Sequence, residues 1–68
     1  MSSDLPIAAV VRIAKKSGAE RVGNDAAEAL VAAAEAYVAK ISAEANKLAS
    51  HAGRKTIKKE DIDMVVKA

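Results

Sequence analysis

The chain has 68 residues, of which 51% are hydrophobic, and its formal net charge is only +2. It is long enough for one small domain, residues 1–68, and too short to bury a large core by itself. It contains no cysteine, which excludes disulfides and thiolate metal sites, and its single histidine, His51, cannot form a metal site alone. Oligomerisation is therefore the expected support for so small a core.

The first predicted helix spans about residues 6–16. Asp4 can accept hydrogen bonds from the free backbone N–H groups of its first turn, where Pro6 is also well tolerated. Gly18 is a natural C-terminal cap because glycine accepts the left-handed conformation. Helical spacing separates an apolar face from a basic face, with Ile7, Val10, Val11 and Ala14 on the first and Arg12, Lys15 and Lys16 on the second.

The second predicted helix spans about residues 25–51 and is capped by Asn24 or Asp25. It contains no proline or glycine and is rich in alanine, the best helix former. At the usual rise per residue it forms a rod of about 40 Å. One apolar stripe follows this rod and comprises Leu30, Ala34, Tyr37, Ile41, Ala45, Leu48 and Ala52, widened by Val31 and Val38.

The third predicted helix spans about residues 57–67 and is capped by Thr56. The fold class is therefore all-α, with a short, a long and a short helix in chain order. Two short helices cannot cover the middle of the long one, whereas a second copy that crosses there would bury both apolar stripes. We therefore expect a homodimer, and the residues expected in its core are Leu30, Tyr37, Val38 and Ile41.

Charge is sorted along the chain. Residues 12–21 and 54–59, at or beside the joints between the predicted helices, contain eight cations and one acid, a net charge of +7. The rest of the chain has three cations and eight acids, a net charge of −5. This clustering indicates an anionic partner more strongly than the overall charge does.

Three segments resemble one known family. LPIA at residues 5–8, GAERV at 18–22 and HAGRKTIKKEDI at 51–62 are similar to the characteristic segments of archaeal histones, and the similarity covers essentially the whole chain. The resemblance implies the histone fold, in which two chains pair head to tail as a handshake dimer. It also implies a chromatin protein, related to the nucleosomal core histones but without tails, that wraps and compacts double-stranded DNA.

Matching positions imply roles for single residues. Arg21 corresponds to the arginine that histones insert into the minor groove, and Thr56 to the threonine that steadies this arginine across the dimer. Lys55 and Arg12 match DNA-contacting positions. Such contacts use phosphates and DNA deformability rather than base edges, so we expect little sequence specificity. Charge and location add further DNA-binding candidates, namely Lys15, Lys16, Arg54, Lys58 and Lys59.

The resemblance also implies contacts between dimers. Leu48, His51 and Asp61 match the residues through which histone dimers join in a four-helix bundle, and Arg54 is matched to an internal salt bridge with Asp61. Gly18 matches a glycine that lets stacked dimers approach one another. From the residues alone, His51 is a histidine favoured by the dipole at a helix C-terminus, and Gly18 is a helix cap. Both interpretations stay open at this point.

The sequence does not predict an enzyme. It has no catalytic set, no metal-ligand spacing and no phosphate-binding glycine loop, so we expect no cofactor, no metal and no small-molecule substrate. No apolar run approaches the roughly 20 residues that span a membrane, and MSSDLP does not resemble a secretory signal. The expected location is the cytoplasm, on the chromosome (nucleoid).

Other functions remain possible. A paralogue could replace the second copy and form a heterodimer. The main alternative is a histone-fold heterodimerisation module in a transcription or repair complex, although such modules commonly lack the loop arginine and the basic joints. A helical assembly protein that binds no nucleic acid is the other alternative, and steep salt dependence of DNA binding would exclude it.

Overall fold

The computed structural model describes residues 6–67. In that range the chain forms three helices and no strand: α1 (Ile7–Lys16), α2 (Asn24–His51) and α3 (Lys59–Lys67). The all-α class and the short, long, short pattern are confirmed. The chain divides into two compact units between Ala36 and Tyr37, so that α1 lies in the first unit, α3 in the second, and α2 contributes to both.

The start of α1 is set by proline. Pro6 has extended backbone angles (φ −67°, ψ 121°) and is the cap residue rather than the first helical residue. Its carbonyl accepts a hydrogen bond from the Val10 N–H at 3.3 Å, and no Pro6 side-chain group caps the helix. The capping role predicted for Asp4 lies outside the described residues.

The start of α2 differs by one residue from the prediction. The helix begins at Asn24, and the Gly23 carbonyl accepts the Ala27 N–H at 2.8 Å, so Gly23 occupies the cap position predicted for Asn24 or Asp25. The Asp25 carboxylate instead accepts the N–H of Ala26 at 2.9 Å. An acid in the first turn also complements the helix dipole.

The first unit has a small interior. Only Ala27 and Val31, both on α2, are buried among its described residues, and no residue of α1 is. Large apolar side chains are left exposed, as at Ile13 and Leu30. An open groove of about 600 Å³ lies between α1 and the N-terminal part of α2, lined by Val10, Ile13, Ala14, Ser17, Ala19, Leu30, Ala33 and Ala34.

The second unit repeats this pattern. Its buried apolar residues are Ala45 and Ala49 on α2, whereas Tyr37 and Val38 are 57% and 55% exposed. A second groove, of about 310 Å³, is lined by Glu44, Lys47, Leu48, Met64 and Val65. Across the two units three alanines and one valine are buried while larger apolar side chains remain exposed, an arrangement typical of interaction surfaces.

The third helix begins two residues later than predicted, and Thr56 is not its cap. The cap residue is Lys58, whose carbonyl accepts the N–H groups of Asp61 at 3.0 Å and Ile62 at 3.3 Å. The Asp61 carboxylate in turn accepts the Lys58 N–H at 2.8 Å. An acid three residues after the cap residue thus fixes the start of α3, as in one half of a capping box.

No helix within residues 6–67 combines the length and the apolar character needed to cross a membrane.

Candidate nucleic-acid interface

The two segments between helices end their preceding helices in the same way. In the first joint (residues 17–23), the Gly18 N–H bonds to the Lys15 carbonyl and the Ala19 N–H to the Ala14 carbonyl. In the second joint (residues 52–58), the N–H groups of Gly53 and Arg54 bond to the carbonyls of Ser50 and Ala49. Both are Schellman motifs, which need a residue with positive φ.

The two glycines provide that conformation. Gly18 has φ +118° and Gly53 has φ +73°, and no other described residue has a positive φ. Glycine reaches these angles without the Cβ strain that other residues incur. The predicted capping role of Gly18 is therefore confirmed, whereas its predicted role between stacked dimers stays a prediction.

The cations of α1 and the first joint are all exposed. Arg12, Lys15 and Lys16 lie on the polar side of α1, and Arg21 lies in the joint itself. None of these four side chains forms a hydrogen bond or ion pair with another of residues 6–67. These four cations are solvated and available to bind an external anion.

The second joint is organised by Arg54 and Asp61. The Arg54 guanidinium donates two hydrogen bonds to the Asp61 carboxylate, Nη1 to Oδ2 and Nη2 to Oδ1, each at 3.0 Å. Nη1 also donates to the Thr56 carbonyl at 2.9 Å. With the Lys58 N–H bound to Oδ2, these contacts form what we call the Arg54–Asp61 clamp. The predicted internal salt bridge is confirmed.

The clamp is sheltered from solvent and perturbs both partners. The Asp61 side chain is 6% exposed and that of Arg54 27%. The hydrogen bonds from Arg54 and then from the Lys58 N–H lower the pKa of Asp61, although burial opposes this. The same hydrogen bond to Asp61 raises the pKa of Arg54 above its already high value. Both groups are therefore charged at neutral pH.

The clamp changes how the cations of the second joint are interpreted. Three of the five N–H donors of Arg54 are occupied within the chain, so two remain for its predicted DNA contact, which stays a prediction. The clamp instead fixes the turn that presents Lys55 and Thr56, both of which are exposed. Lys55 and Lys58 have no side-chain partner among residues 6–67, whereas Lys59 is paired with Asp63.

The residues predicted to form protein contacts are placed as follows. Leu30, Tyr37 and Val38 are exposed, and Ile41 is half-buried. Leu48 lines the groove of the second unit. His51, the last residue of α2, is exposed. Asp61 is only 5% exposed and is engaged in the clamp, so a bond from a neighbouring dimer must use the remaining acceptor capacity of its carboxylate.

Sequence reasoning missed two features of this region. The capping bond from the Lys58 N–H to Asp61 could have been found from the acid that follows three residues after Lys58. The Lys59–Asp63 ion pair could have been found from its i, i+4 spacing. Within residues 6–67 no group of three or more histidine, aspartate or glutamate side chains could hold a metal ion.

Comparison with known proteins identifies the family. Residues 3–66 match the family described as histone-like transcription factor (CBF/NF-Y) and archaeal histone. The chain is 48% identical over 66 residues to one of the subunits of archaeal histone HAN1 from Thermococcus zilligii, an alignment that covers 97% of this chain and 98% of that protein. It is 43% identical over 60 residues to probable archaeal histone 3 of Methanocaldococcus jannaschii, covering 88% and 90% of the two chains. The chain therefore belongs to the archaeal histones, a histone-fold family of DNA-binding chromatin proteins that are not enzymes.

Proposed function

We propose that this protein forms a dimer that wraps and compacts double-stranded DNA with little sequence specificity. The observation that carries the proposal is a set of exposed cations on α1 and in the two joints that have no ion pair with another of residues 6–67, namely Arg12, Lys15, Lys16, Arg21, Lys55 and Lys58. Exposed cations of this kind can bind the phosphates of a duplex, and such contacts position a protein without reading sequence. The family supports a location on the chromosome.

Dimerisation is supported by the apolar surface that each of the two units leaves exposed. Tyr37, Val38 and Leu30 are large apolar residues of α2 that stay exposed, and each unit has an open apolar groove beside its short helix. A second copy of this chain would supply the apolar surface that these residues lack. Pairing head to tail would also set the first joint of one copy beside the second joint of the other and so join their cations.

The proposed DNA contacts differ between residues. Arg21 enters the minor groove where it faces the protein, and arginine is favoured there by the negative potential of a narrow groove. Thr56 of the other copy steadies this arginine. Arg12, Lys55 and the remaining lysines bind phosphates. Because no side chain is assigned to a base edge, binding should favour DNA that bends easily rather than a defined sequence.

Assembly beyond the dimer forms a further part of the proposal. Leu48 and His51 lie at the exposed C-terminal end of α2 and, with Asp61, are proposed to join two dimers on DNA. Gly18, which carries no side chain at an exposed helix end, is proposed to let stacked dimers approach. These two contacts determine whether the protein forms discrete particles or extends along the DNA.

Nuclease digestion of random-sequence DNA saturated with the protein tests this function. Protected lengths that rise in steps of one dimer footprint are expected for wrapping with stacking. A single protected length would indicate discrete particles and would remove the role of Gly18 in stacking. No protection at moderate salt would overturn the proposed function.

A matched pair of variants sharpens this test. Arg21→Ala should weaken protection strongly, since it removes the minor-groove contact. Lys40→Ala removes one exposed cation from α2, outside both basic segments, and should change protection little. Equal effects of the two variants would show that only total charge matters.

A second candidate function is heterodimerisation. The name of the relative from Thermococcus zilligii describes it as one subunit of HAN1, and the matched family also includes histone-like transcription factors. A heterodimerisation module would need a different chain to cover its exposed apolar residues. Sedimentation equilibrium of the purified chain separates the two: a dimer supports self-association, and a monomer at micromolar concentration would favour a different partner.

A further inference from the structure

The two acids of α3 that bind cations do so in different ways. Asp61 holds Arg54 with two hydrogen bonds, and its side chain is 6% exposed. Asp63 accepts one hydrogen bond from the Lys59 ammonium at 2.8 Å, and the two side chains are 43% and 89% exposed. The first pair is fixed within the chain, whereas the second is open to solvent and to any competing anion.

Helix stability does not explain the Lys59–Asp63 pair. Lys59 is the first residue of α3, where the helix dipole disfavours a cation. A lysine four residues before an acid is also the less favourable order of a helical ion pair. The pair therefore adds little to the stability of α3, and removing its acid should leave the helix folded.

The position of Lys59 gives it a second possible anion. It belongs to the basic segment 54–59 and directly follows Lys58, which is exposed and unpaired among residues 6–67. A phosphate that approaches this segment must compete with the Asp63 carboxylate for the Lys59 ammonium. The carboxylate also repels the phosphate directly, because both are negative.

We propose that Asp63 lowers the DNA affinity of the basic segment 54–59 by competing with phosphate for Lys59. The proposal rests on the DNA-binding function proposed above and adds a residue that restrains it. Asp63 is the acid that releases its cation when DNA binds, whereas Asp61 keeps Arg54 in place. The Arg54–Asp61 ion pair is thus retained when DNA binds, whereas the Lys59–Asp63 ion pair is exchanged for a contact with phosphate.

Substitution of Asp63 by asparagine tests the proposal directly. The full-length variant and the wild type are titrated into a fluorescently labelled DNA duplex, and anisotropy gives Kd over a series of salt concentrations. Asp63→Asn should tighten binding about two- to fivefold at low salt, in line with the usual strength of a surface ion pair. The salt dependence should steepen by up to about 0.9 in slope for each additional phosphate that the protein neutralises.

Two controls separate competition from simple charge. Glu60→Gln makes the same change of charge on the same helix turn, and Glu60 has no hydrogen bond or ion pair with Lys59. It should tighten binding less than Asp63→Asn does. In the Lys59→Gln background, Asp63→Asn should lose most of its effect, since no ammonium is left to release. Unchanged thermal melts establish that the variants remain folded.

The possible outcomes decide between explanations. Equal gains from Asp63→Asn with and without Lys59 would show that only the charge of the acid matters, and the proposal would be wrong. No gain from Asp63→Asn would likewise overturn it while leaving the DNA-binding function intact. A wild-type protein that does not bind the duplex would instead overturn the proposed function, and the competition with it.

Discussion

The two joints share one backbone design and differ in how their side chains support it. Each follows a Schellman motif with a positive-φ glycine, Gly18 in the first joint and Gly53 in the second. The second joint adds the Arg54–Asp61 clamp, whereas the cation of the first joint, Arg21, has no partner among residues 6–67. The second joint is therefore organised within the chain, and the first leaves its arginine free for contacts from outside.

This difference separates two uses of a cation. Arg54 stabilises the fold, because its guanidinium N–H groups donate hydrogen bonds to the Asp61 carboxylate and the Thr56 carbonyl. Arg21, Lys55 and Lys58 are exposed and have no ion pair with another of residues 6–67. A count of basic residues treats the two classes alike, although only the charge of Arg54 is balanced by an acid within the chain.

The largest expected effect comes from breaking the clamp. Asp61→Ala removes both bonds to Arg54 and the bond to the Lys58 N–H, and it leaves a half-buried guanidinium without its anion. We expect a large fall in the Tm measured by circular dichroism, together with weaker DNA binding because Lys55 is no longer held in a fixed turn.

The matched control is in the first joint. Ser17→Ala removes one exposed hydrogen bond, from the Ser17 hydroxyl to the Ile13 carbonyl at 3.0 Å. Exposed substitutions of this kind usually change stability by less than about 0.5 kcal/mol. If the two variants lowered Tm equally, the second joint would not depend on its clamp.

A smaller effect on stability is expected when the pH is lowered. The folded-state pKa of Asp61 lies below its unfolded value because Arg54 and the Lys58 N–H stabilise the carboxylate. The resulting stability is fully present above the unfolded pKa, about 3.9, and is lost as pH falls through the folded pKa. Between pH 7 and 5 the clamp should therefore contribute a constant amount.

The comparison of wild type with Asp61→Asn isolates this contribution. Melts recorded from pH 7 to pH 2 should show a gap in Tm between the two proteins that narrows only below about pH 4. Effects of acid that do not involve Asp61 are common to both proteins and cancel in the difference. A gap that narrowed well above pH 4 would contradict the assignment of this contribution to Asp61.

The sequence was sufficient to predict the number and order of the helices but not the cap residue of α3. Helical periodicity and the position of Gly18 predicted three helices, with ends that lie within two residues of those observed. The predicted start of α3, at residue 57, was wrong because Thr56 was assigned as the cap residue on residue type alone. The cap residue is Lys58 because the Asp61 carboxylate three residues later binds its N–H, so the spacing of the acid, and not the residue type at the cap position, marks the start of α3.

The predicted site shows the same limit. Which residues are basic, and which of them lie at joints, is readable from composition and spacing. Whether a cation is free depends on side-chain geometry, as the different states of Arg54, Lys55 and Lys59 demonstrate. The contacts proposed for Leu48, His51 and Gly18 involve other chains, so neither the sequence nor a single folded chain determines them.

The smallest difference between the joints is at the glycines that they share. An added Cβ would meet no atom within 4 Å at either position, so an alanine substitution tests backbone strain alone. Gly53, at φ +73°, lies close to the left-handed region that other residues can enter, whereas Gly18, at φ +118°, lies well outside it.

Alanine at Gly53 should therefore cost about 1–2 kcal/mol of unfolding free energy, and alanine at Gly18 somewhat more. Asparagine, which tolerates the left-handed region, should recover part of the loss at Gly53 and little of it at Gly18. Urea denaturation of the four variants measures these differences. Rescue by asparagine at both positions would mean that Gly18 can relax toward the angles of Gly53, and that the first joint is as adaptable in its backbone as it is unconstrained in its side chains.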